Sequence, residues 1–266
     1  MFLKVLMDNN TFIDDYALGE PGLCFYIEDD DKKILFDTGY SGAIINNAQH
    51  YGLSLSDLDY IVLSHGHNDH SRGLGFLLEH YDLSNVILLA HPDAFNQKRN
   101  EGLGIGLSLP GEYLQEKMKV VATREPYQVT DKLIYLGEIP RLNDFENKIS
   151  FGQELRGECW FDDYLIDDSA LVYFGSKATV ITGCSHSGIC NICEHAKRVV
   201  KGEVERVIGG FHIFDVNEQL DKTIDYFMSN GIDKLYPSHC VSFKAKAHIN
   251  SRIAIEEVAT GTELRL

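Results

Sequence analysis

Basic residues are scarce in this chain of 266 residues, which has 24 lysines and arginines against 40 aspartates and glutamates. The formal charge of −16 repels phosphate backbones and anionic membranes, so we predict no nucleic-acid partner. No apolar run approaches the roughly 18 residues that a membrane span needs, so we predict no membrane association. The first residues, MFLKVLMDNN, have too short an apolar stretch for a signal peptide. We therefore expect a cytoplasmic protein.

Cysteines number only six, at positions 24, 159, 184, 190, 193 and 240. Without a secretion signal, reduced thiols or metal ligands are expected rather than a disulfide framework. Cys190 and Cys193 share one face of a predicted helix, and with Cys184 and Cys240 they offer ligands for an iron–sulfur cluster or a structural zinc. A second C-x2-C pair is missing, however. We therefore favour packed thiols and do not expect an iron–sulfur cluster.

Internal repeats, low-complexity segments and proline-rich linkers are also missing, which favours one domain over residues 1–266. Both halves of the chain run from antiparallel strand patterns into strand–helix alternation. This order predicts an α/β (α+β) fold in which two sheets pack together between outer helices. Residues 92–160 mix short β-like runs with glycine and polar residues. We interpret them as a variable segment that covers the active site.

A dense group of potential metal ligands follows one apolar run. The stretch DYIVLSHGHNDHSRGL, residues 59–74, contains His65, His67, Asp69 and His70. In an extended segment, residues two apart project to the same side, so His65 and His67 can share one ion. Asp69 and His70 follow where the chain turns toward a helix, and there they can face a neighbouring ion. The pattern predicts a metal site rather than a polar surface loop.

Three further histidines occupy matching positions, each just past a short β-rich run. They are His186 after ATVITGCS, His212 after RVIGGF and His239 after KLYPS. The ends of strands in α/β folds converge on one edge, so distant segments can meet there. We therefore expect these histidines to join the first cluster. The remaining histidines, which we interpret as structural, are His50, His80, His91, His195 and His248.

The motifs FDTG (36–39) and SHGHNDHSRGL (64–74), with the later histidines, resemble the metallo-β-lactamase superfamily. The resemblance implies a four-layer αββα sandwich with one or two metal ions between the sheets. It implies a first ion held by His65, His67 and His186. It implies a second ion held by Asp69, His70 and His239. Asp37 of FDTG would then brace the site from behind.

One position departs from the family pattern. Many members place a metal-bridging aspartate after a late strand, where this chain has His212, with Asp215 three residues further on. A histidine cannot bridge two ions as a carboxylate does, so the number of ions stays open. We instead assign His212 a catalytic role, in which it hydrogen-bonds substrate or supplies a proton.

Other motifs narrow the resemblance to one branch of the superfamily. GEPGLCFYIE, GEIPR, ITGCSHSGICNI and GGFH are similar to a branch that includes proteins named as a dihydropterin–ribofuranosylaminobenzene phosphate synthase. Many members of that branch are known only as metal-dependent hydrolases. The substrate therefore does not transfer with the resemblance.

Together these features predict a metal-dependent hydrolase, or a related transferase, acting on a small molecule, with phosphorylated and pterin-like compounds as candidates. The ligand types favour zinc, with iron or manganese as alternatives. Such an ion would lower the pKa of its water toward roughly 7 and provide hydroxide. Asp69 would orient this nucleophile. The alternatives are a phosphodiesterase similar to ribonuclease Z and a non-hydrolytic metal or redox protein that uses the cysteines.

Overall fold

The computed structural model of the protein describes residues 1–266. Its strands are β1 Phe2–Met7, β2 Cys24–Asp29, β3 Lys32–Phe36, β4 Tyr60–Val62, β5 Ile87–Ala90, β6 Lys98–Asn100, β7 Leu103–Gly104, β8 Lys119–Ala122, β9 Tyr127–Gln128, β10 Leu133–Tyr135, β11 Gln153–Arg156, β12 Cys159–Asp162, β13 Ala170–Phe174, β14 Ala178–Thr182, β15 Val204–Gly209, β16 Lys234–Pro237 and β17 Glu263–Arg265. Its helices are α1 Ala43–His50, α2 Asn68–Ser71, α3 Gly73–His80, α4 Gly111–Lys117, α5 Ile189–Val200, α6 Glu218–Ser229 and α7 Phe243–Asn250, with a short 3₁₀ helix at Pro92–Phe95.

Two large sheets and one small sheet organise these strands. The first sheet has the order β17-β1-β2-β3-β4-β5-β8, and the second has the order β16-β15-β14-β13-β10-β9. The first contains parallel neighbours from β3 through β4 and β5 to β8, and the second contains parallel neighbours from β14 through β15 to β16. The carboxyl ends of these parallel strands therefore lie at common edges, where side chains from separate segments can meet.

Side chains of neighbouring positions in the strands enter different layers of the core. On β2, Phe25 belongs to the cluster between the sheets, whereas Tyr26 belongs to the cluster under the first helices. On β14, Ile181 lies between the sheets, and Val180 faces the later helices. Both faces of each sheet are therefore buried, which matches the period of two along a strand. Each fully buried side chain of this size contributes roughly 1.5–3 kcal/mol relative to exposure.

Helices cover the two outer faces. In α1 and α3, the buried apolar residues, which include Ile44 and Leu77, pack onto the first sheet. In α5 and α6, residues including Ile192 and Phe227 pack onto the second sheet. The order of layers is helix, sheet, sheet, helix, and the predicted αββα sandwich is confirmed. None of the helices combines the length and the apolar character needed to cross a bilayer.

The acidic segment between β2 and β3 forms a tight hairpin, as EDDDKK predicts. Asp30 and Asp31 have φ angles of 48° and 60°. Two consecutive positive φ values are the mark of a type I′ turn, and aspartate is among the residues that tolerate them. Across this hairpin, Phe25 pairs with Phe36. The turn therefore fixes the register of the strand that leads to Asp37.

Residues 92–160 contain more regular structure than the sequence indicates. The runs interpreted as β-like become β8, β9 and β10, but two other strands of this segment, β6 and β7, join β11 and β12 in a small sheet. The stretch 101–113, which reads as a glycine-rich loop, contains β7 and leads into α4. It also contacts the histidine motif, because Asn68 N donates a hydrogen bond to Ile105 O at 2.8 Å.

Candidate metal centre

The side chains named from the sequence as metal ligands meet at the edge where the two large sheets join. His65 and His67 follow β4, Asp69 and His70 lie on α2, and His186 and His239 follow β14 and β16. Within each of three groups, all potential ligand atoms lie within 4.8 Å of one another. The first ligand group is His65, His67 and His186; the second is Asp69, His70, Cys184 and His239; the third is Cys184, His186 and His212.

The first ligand group consists of three buried imidazoles whose Nε2 atoms have no hydrogen-bond partner in the protein. Their ring centroids lie 4.7 to 4.9 Å apart. Buried polar atoms are normally paired, so three unpartnered nitrogens facing one another need a shared partner. Ligands of a tetrahedral zinc ion lie about 3.4 Å apart, so small side-chain movements would bring these nitrogens onto one ion.

Ser64 fixes which nitrogen of His65 is free to bind. The Ser64 hydroxyl donates its single hydrogen to Asp37 Oδ2 at 2.7 Å. Its contact of 2.9 Å with His65 Nδ1 must therefore be a hydrogen bond that His65 donates. A neutral imidazole that carries its hydrogen on Nδ1 has a lone pair on Nε2. The hydrogen bonds from His65 Nδ1 to Ser64 and from Ser64 to Asp37 thus leave the lone pair of His65 Nε2 available to bind a metal ion.

Electrostatics support a neutral first group. Burial lowers the pKa of His65 and His186, and it lowers the pKa of His67 to about 3. Desolvation disfavours the charged imidazolium in such an environment. Neutral imidazoles are the form that binds metal ions.

The second ligand group combines carboxylate and imidazole charges. Burial alone would lower the pKa of His70, but the carboxylates of Asp69 and Asp37 outweigh burial and raise it to about 9. Burial also opposes ionisation of Asp69, yet His70 and His239 hold the pKa of that carboxyl below its usual range. This group therefore favours a positive charge near Nε2 of His70, whether a proton or a metal ion supplies it.

Asp37 holds His70 in place from behind. Its Oδ2 accepts a hydrogen bond from His70 Nδ1 at 2.7 Å, and its Oδ1 accepts one from Ser64 N at 2.7 Å. Asp37 itself has a φ of 62°, in the region that aspartate enters more readily than most residues. Its contacts match the bracing role that the resemblance implies for it.

Asp8 and Asn9 form a second brace that the sequence did not indicate. His239 Nδ1 lies 2.8 Å from Asn9 Oδ1, and His239 N donates to Asp8 Oδ2 at 2.9 Å. Both residues directly follow β1. The only available signal was the polar sequence DNN after a buried strand, which is common in turns and therefore not specific.

His212 belongs to neither of the two groups that the resemblance implies. Its ring lies 4.2 Å from that of His186, and its Nδ1 has no hydrogen-bond partner. It lines a cleft of about 520 Å³ together with Asp69, Phe151 and Phe214. The structure therefore places His212 beside the first group, in contact with the space where a substrate would bind.

Phe151 covers the first ligand group. Its ring centroid lies 5.5 Å from that of His67, 5.8 Å from that of His186 and 5.7 Å from that of His212. Phe151 is contributed by the segment 92–160, whose expected position over the site agrees with this contact. A larger depression of about 800 Å³ lies near the β2–β3 hairpin, at the opposite end of β3, and its lining contains neither histidine nor cysteine.

A buried ion-pair network supports the backbone between His65 and His67. Lys98 Nζ lies 2.7 Å from Asp163 Oδ2 and 3.0 Å from Asp167 Oδ1. Asp167 Oδ2 in turn accepts a hydrogen bond from Gly66 N at 2.8 Å. No sequence pattern indicates this network, because its residues are separated by up to 101 positions.

Glycine is required where the two sheets approach each other most closely. A Cβ atom on Gly183 would lie 2.1 Å from Ser64 Oγ and 3.1 Å from Asp37 Oδ2. The first distance is far inside van der Waals contact. Absence of a side chain at Gly183 therefore lets the ends of β4 and β14 come together and allows both sheets to contribute ligands.

A family model of the metallo-beta-lactamase superfamily matches residues 17–239. The chain belongs to the metallo-β-lactamase superfamily. The solved structure of Tm1679, a metal-dependent hydrolase of the β-lactamase superfamily, superposes with a TM-score of 0.85 at 26% identity and covers 100% of this chain and 99% of that chain. Members of this superfamily typically bind divalent metal ions, and most are enzymes.

Two relatives from Methanocaldococcus jannaschii align with most of this chain. The uncharacterized protein MJ0448 is 36% identical over 250 residues, which are 91% of each chain. The 7,8-dihydropterin-6-methyl-4-(β-D-ribofuranosyl)-aminobenzene-5'-phosphate synthase is 30% identical over 260 residues, which are 89% of this chain and 88% of that protein. These matches confirm the resemblance to the superfamily and to its synthase-like branch.

Most of the other cysteines and histidines of the chain lie apart from the three ligand groups. Cys190 and Cys193 are buried on α5 in the apolar cluster beneath the second sheet. Cys184 differs from them, because its Sγ lies 3.1 Å from His70 Nε2. Cys184 is buried, as a packed thiol would be, but its sulfur contacts a histidine of the site. The five histidines interpreted as structural each contact an acidic group or a main-chain carbonyl instead.

Proposed function

We propose that this protein is a metal-dependent hydrolase, or a transferase with related chemistry, that acts on a small molecule. The observation that carries the proposal is the pair of ligand groups that open on one cleft of about 520 Å³. His65, His67 and His186 would hold one divalent ion, and Asp69, His70 and His239 would hold a second. Zinc suits this donor set, and iron or manganese are alternatives.

A divalent ion bound there would lower the pKa of a water ligand toward roughly 7 and polarise a substrate carbonyl or phosphoryl oxygen. The chain's own residues would do the positioning. Asp69, whose side chain is 31% exposed, reaches the cleft and would accept a hydrogen bond from the attacking water. His212, which lines the same cleft, would hydrogen-bond the substrate or donate a proton to the leaving group.

The lining of the cleft supports a small substrate rather than a polynucleotide. It contains asparagine, tyrosine and phenylalanine side chains but neither lysine nor arginine. The buried cation Lys98 is engaged by Asp163 and Asp167, and the half-buried Arg141 donates to Leu165 O at 2.7 Å. The protein has a net charge of −16, and its cleft lining offers no lysine or arginine to bind a nucleic-acid backbone beside the metal centre.

A pterin-like substrate is the second candidate, and the aromatic lining of the cleft favours it. Phe151 and Phe214 are 39% and 48% exposed, and both line the cleft with Tyr40. Exposed aromatic rings beside a site can stack on a planar heterocycle. The synthase of M. jannaschii, 30% identical, has a dihydropterin compound in its name. A substrate with a planar ring would stack on the aromatic lining, and a carbonyl or phosphoryl oxygen on the same substrate would face the proposed metal centre.

Metal analysis combined with a substrate screen tests the proposed function. The metal-loaded protein is assayed with phosphoesters, lactones, thioesters and reduced pterin precursors, beside a His67→Ala variant and a His80→Ala control. His80 has its hydrogen bond with Phe76 O and is not part of the cleft lining. We expect turnover of at least one class by wild type and the control, and its loss with the metal in His67→Ala while circular dichroism stays unchanged.

Two outcomes would contradict the proposal. One is full activity of His67→Ala with unchanged metal content, which would remove the first ligand group from the mechanism. The other is a metal-replete protein that turns over none of the four classes. Cleavage of single-stranded RNA or DNA faster than of any small substrate would instead support the phosphodiesterase alternative.

A further inference from the structure

Cys184 lies inside the second ligand group rather than behind it. Its Sγ is 3.1 Å from His70 Nε2. Around the same point, His70 Nε2 is 3.2 Å from His239 Nε2, and Asp69 Oδ2 is 3.3 Å from His239 Nε2 and 3.6 Å from His70 Nε2. Ligands of one tetrahedral ion lie about 3.4 Å apart. The observed spacings are therefore compatible with atoms that share one ion.

The tautomers of the two histidines show that these contacts need a positive charge, which either a proton on Nε2 of His70 or a metal ion can supply. His70 donates its Nδ1 hydrogen to Asp37 Oδ2 at 2.7 Å, and His239 donates its Nδ1 hydrogen to Asn9 Oδ1 at 2.8 Å. In neutral rings with these bonds, both Nε2 atoms carry lone pairs that face each other across 3.2 Å. Two lone pairs at this distance repel unless a positive charge lies between them. The sulfur of Cys184 borders that same point.

We propose that Cys184 is a thiolate ligand that, with Asp69, His70 and His239, completes a four-ligand site for a thiophilic divalent ion. This inference rests on the proposed function only in that a metal centre is present. On binding, the thiol releases its proton to solvent while its sulfur donates an electron pair to the ion. Thiolate ligands favour zinc, cobalt or ferrous iron over manganese and magnesium. The donor set therefore makes the second position the more selective of the two.

Neighbouring cysteines do not compete for this role. Cys240 is also close, but its Sγ accepts a hydrogen bond from His212 N at 3.3 Å and donates one to Cys184 O at 3.6 Å. Cys240 therefore joins main-chain groups and is absent from the ligand groups. Cys193 is fully buried in the apolar core on α5. These two residues supply matched controls, one beside the site and one remote from it.

Cobalt substitution tests the proposal without relying on enzyme activity. The metal-free full-length protein is titrated with Co²⁺, and absorption is followed in the near ultraviolet, where thiolate-to-cobalt charge transfer appears. We expect two equivalents to bind and the charge-transfer band to grow with one of them. In Cys184→Ser, the band should disappear and the affinity for one equivalent should fall by at least about 100-fold, more than the loss typical for a residue that only orients a ligand.

Variants of the other cysteines and a replacement ligand complete the experiment. Cys240→Ala and Cys193→Ala should keep the band and both equivalents. Cys184→Asp should keep two equivalents without the band, and its preference for zinc over manganese should decrease by about tenfold or more, because a carboxylate is a harder donor. X-ray absorption of the zinc form should show one sulfur at about 2.3 Å in wild type and none in Cys184→Ser.

The results separate this inference from the proposed function. A charge-transfer band that persists in Cys184→Ser, or a wild-type protein that binds two cobalt ions without any band, overturns the thiolate assignment even if the enzyme is active. A Cys184-dependent band in a protein that turns over no substrate upholds the assignment and contradicts the hydrolase. Absence of any cobalt binding contradicts both.

Discussion

Three of the histidines near the centre are oriented by a hydrogen bond on the nitrogen that faces away from it. His65 contacts Ser64, His70 contacts Asp37, and His239 contacts Asn9, all through Nδ1. Fixing Nδ1 in this way directs Nε2 inward and selects the tautomer that can bind a metal ion. At the scale of single residues, the affinity of the site therefore depends on side chains that would not touch the ion.

Asp37→Asn tests this dependence. Asparagine has nearly the same shape, but its amide group would donate toward His70 Nδ1 and shift the ring hydrogen to Nε2, where it blocks metal binding. We expect the affinity for one of the two ions to fall by about 10- to 100-fold, with little change in secondary structure. Zinc titration against a competing chelator, with circular dichroism of the same samples, measures both quantities.

Asp59→Asn is the matched control, because Asp59 pairs with Lys32 at the surface and lies at the opposite end of β4. Surface ion pairs of this kind contribute roughly 0–1 kcal/mol to the free energy of unfolding. The Asp59→Asn variant should therefore remain folded and bind zinc with the affinity of wild type. Equal affinities of Asp37→Asn and wild type would show that the contacts of Asp37 serve the fold alone.

The sequence predicts the side chains that converge here better than it predicts their surroundings. His65, His67 and His70 are recognisable because their spacing is dense and follows a strand. Asp8 and Asn9 follow a strand as well, but polar residues in that position usually form turns. Grouping Cys184 with Cys190 and Cys193 relied on nearness in sequence, which does not reveal that their sulfurs have different surroundings. In the structure, α5 carries Cys190 and Cys193 into the core, whereas Cys184 precedes the helix.

At the scale of elements, the small sheet connects the variable segment to the centre. Lys98 on β6 reaches Asp163 and Asp167, and Asp167 holds Gly66 between two histidines. The strands of this sheet have two to four residues each, and β6 pairs with β11 more than fifty positions away. Periodicity is undefined over so few residues, so the sequence could not predict the sheet.

Lys98→Met tests what this network contributes. It keeps most of the side-chain volume but leaves two carboxylates buried without their cation. Breaking a buried ion pair in this way typically costs about 3–5 kcal/mol, so we expect the free energy of unfolding to fall by that amount. Zinc affinity should fall as well, because Asp167 would no longer be fixed at Gly66. Urea unfolding and zinc titration measure the two effects.

The triple variant Lys98→Met, Asp163→Asn, Asp167→Asn provides the control. It removes the uncompensated charges, and replacing all charged members of a buried network is often close to neutral. We expect it to regain most of the lost stability while zinc affinity stays below that of wild type. If Lys98→Met alone unfolds with the wild-type free energy, the network is not the support that its distances indicate.

At the scale of the whole molecule, both sheets contribute to the centre. The first sheet contributes His65 and His67, while the second contributes His186 and His239, so either ion would connect the two sheets. Only a folded chain presents both sets of ligands together. A metal ion that binds the folded state alone stabilises it by about 2.7 kcal/mol at a free concentration one hundred times its Kd.

Thermal unfolding with and without zinc therefore measures the connection between the sheets. We expect zinc to raise the Tm of the metal-free protein by roughly 5–10 °C at one hundred times its Kd, and a chelator to reverse the rise. His67 and His186 follow strands of different sheets but belong to one ligand group. The variants His67→Ala and His186→Ala should therefore each lose the same part of the zinc-dependent rise in Tm. His80→Ala should retain all of it. Full zinc stabilisation of either ligand variant would show that the ion does not join the sheets through the first ligand group.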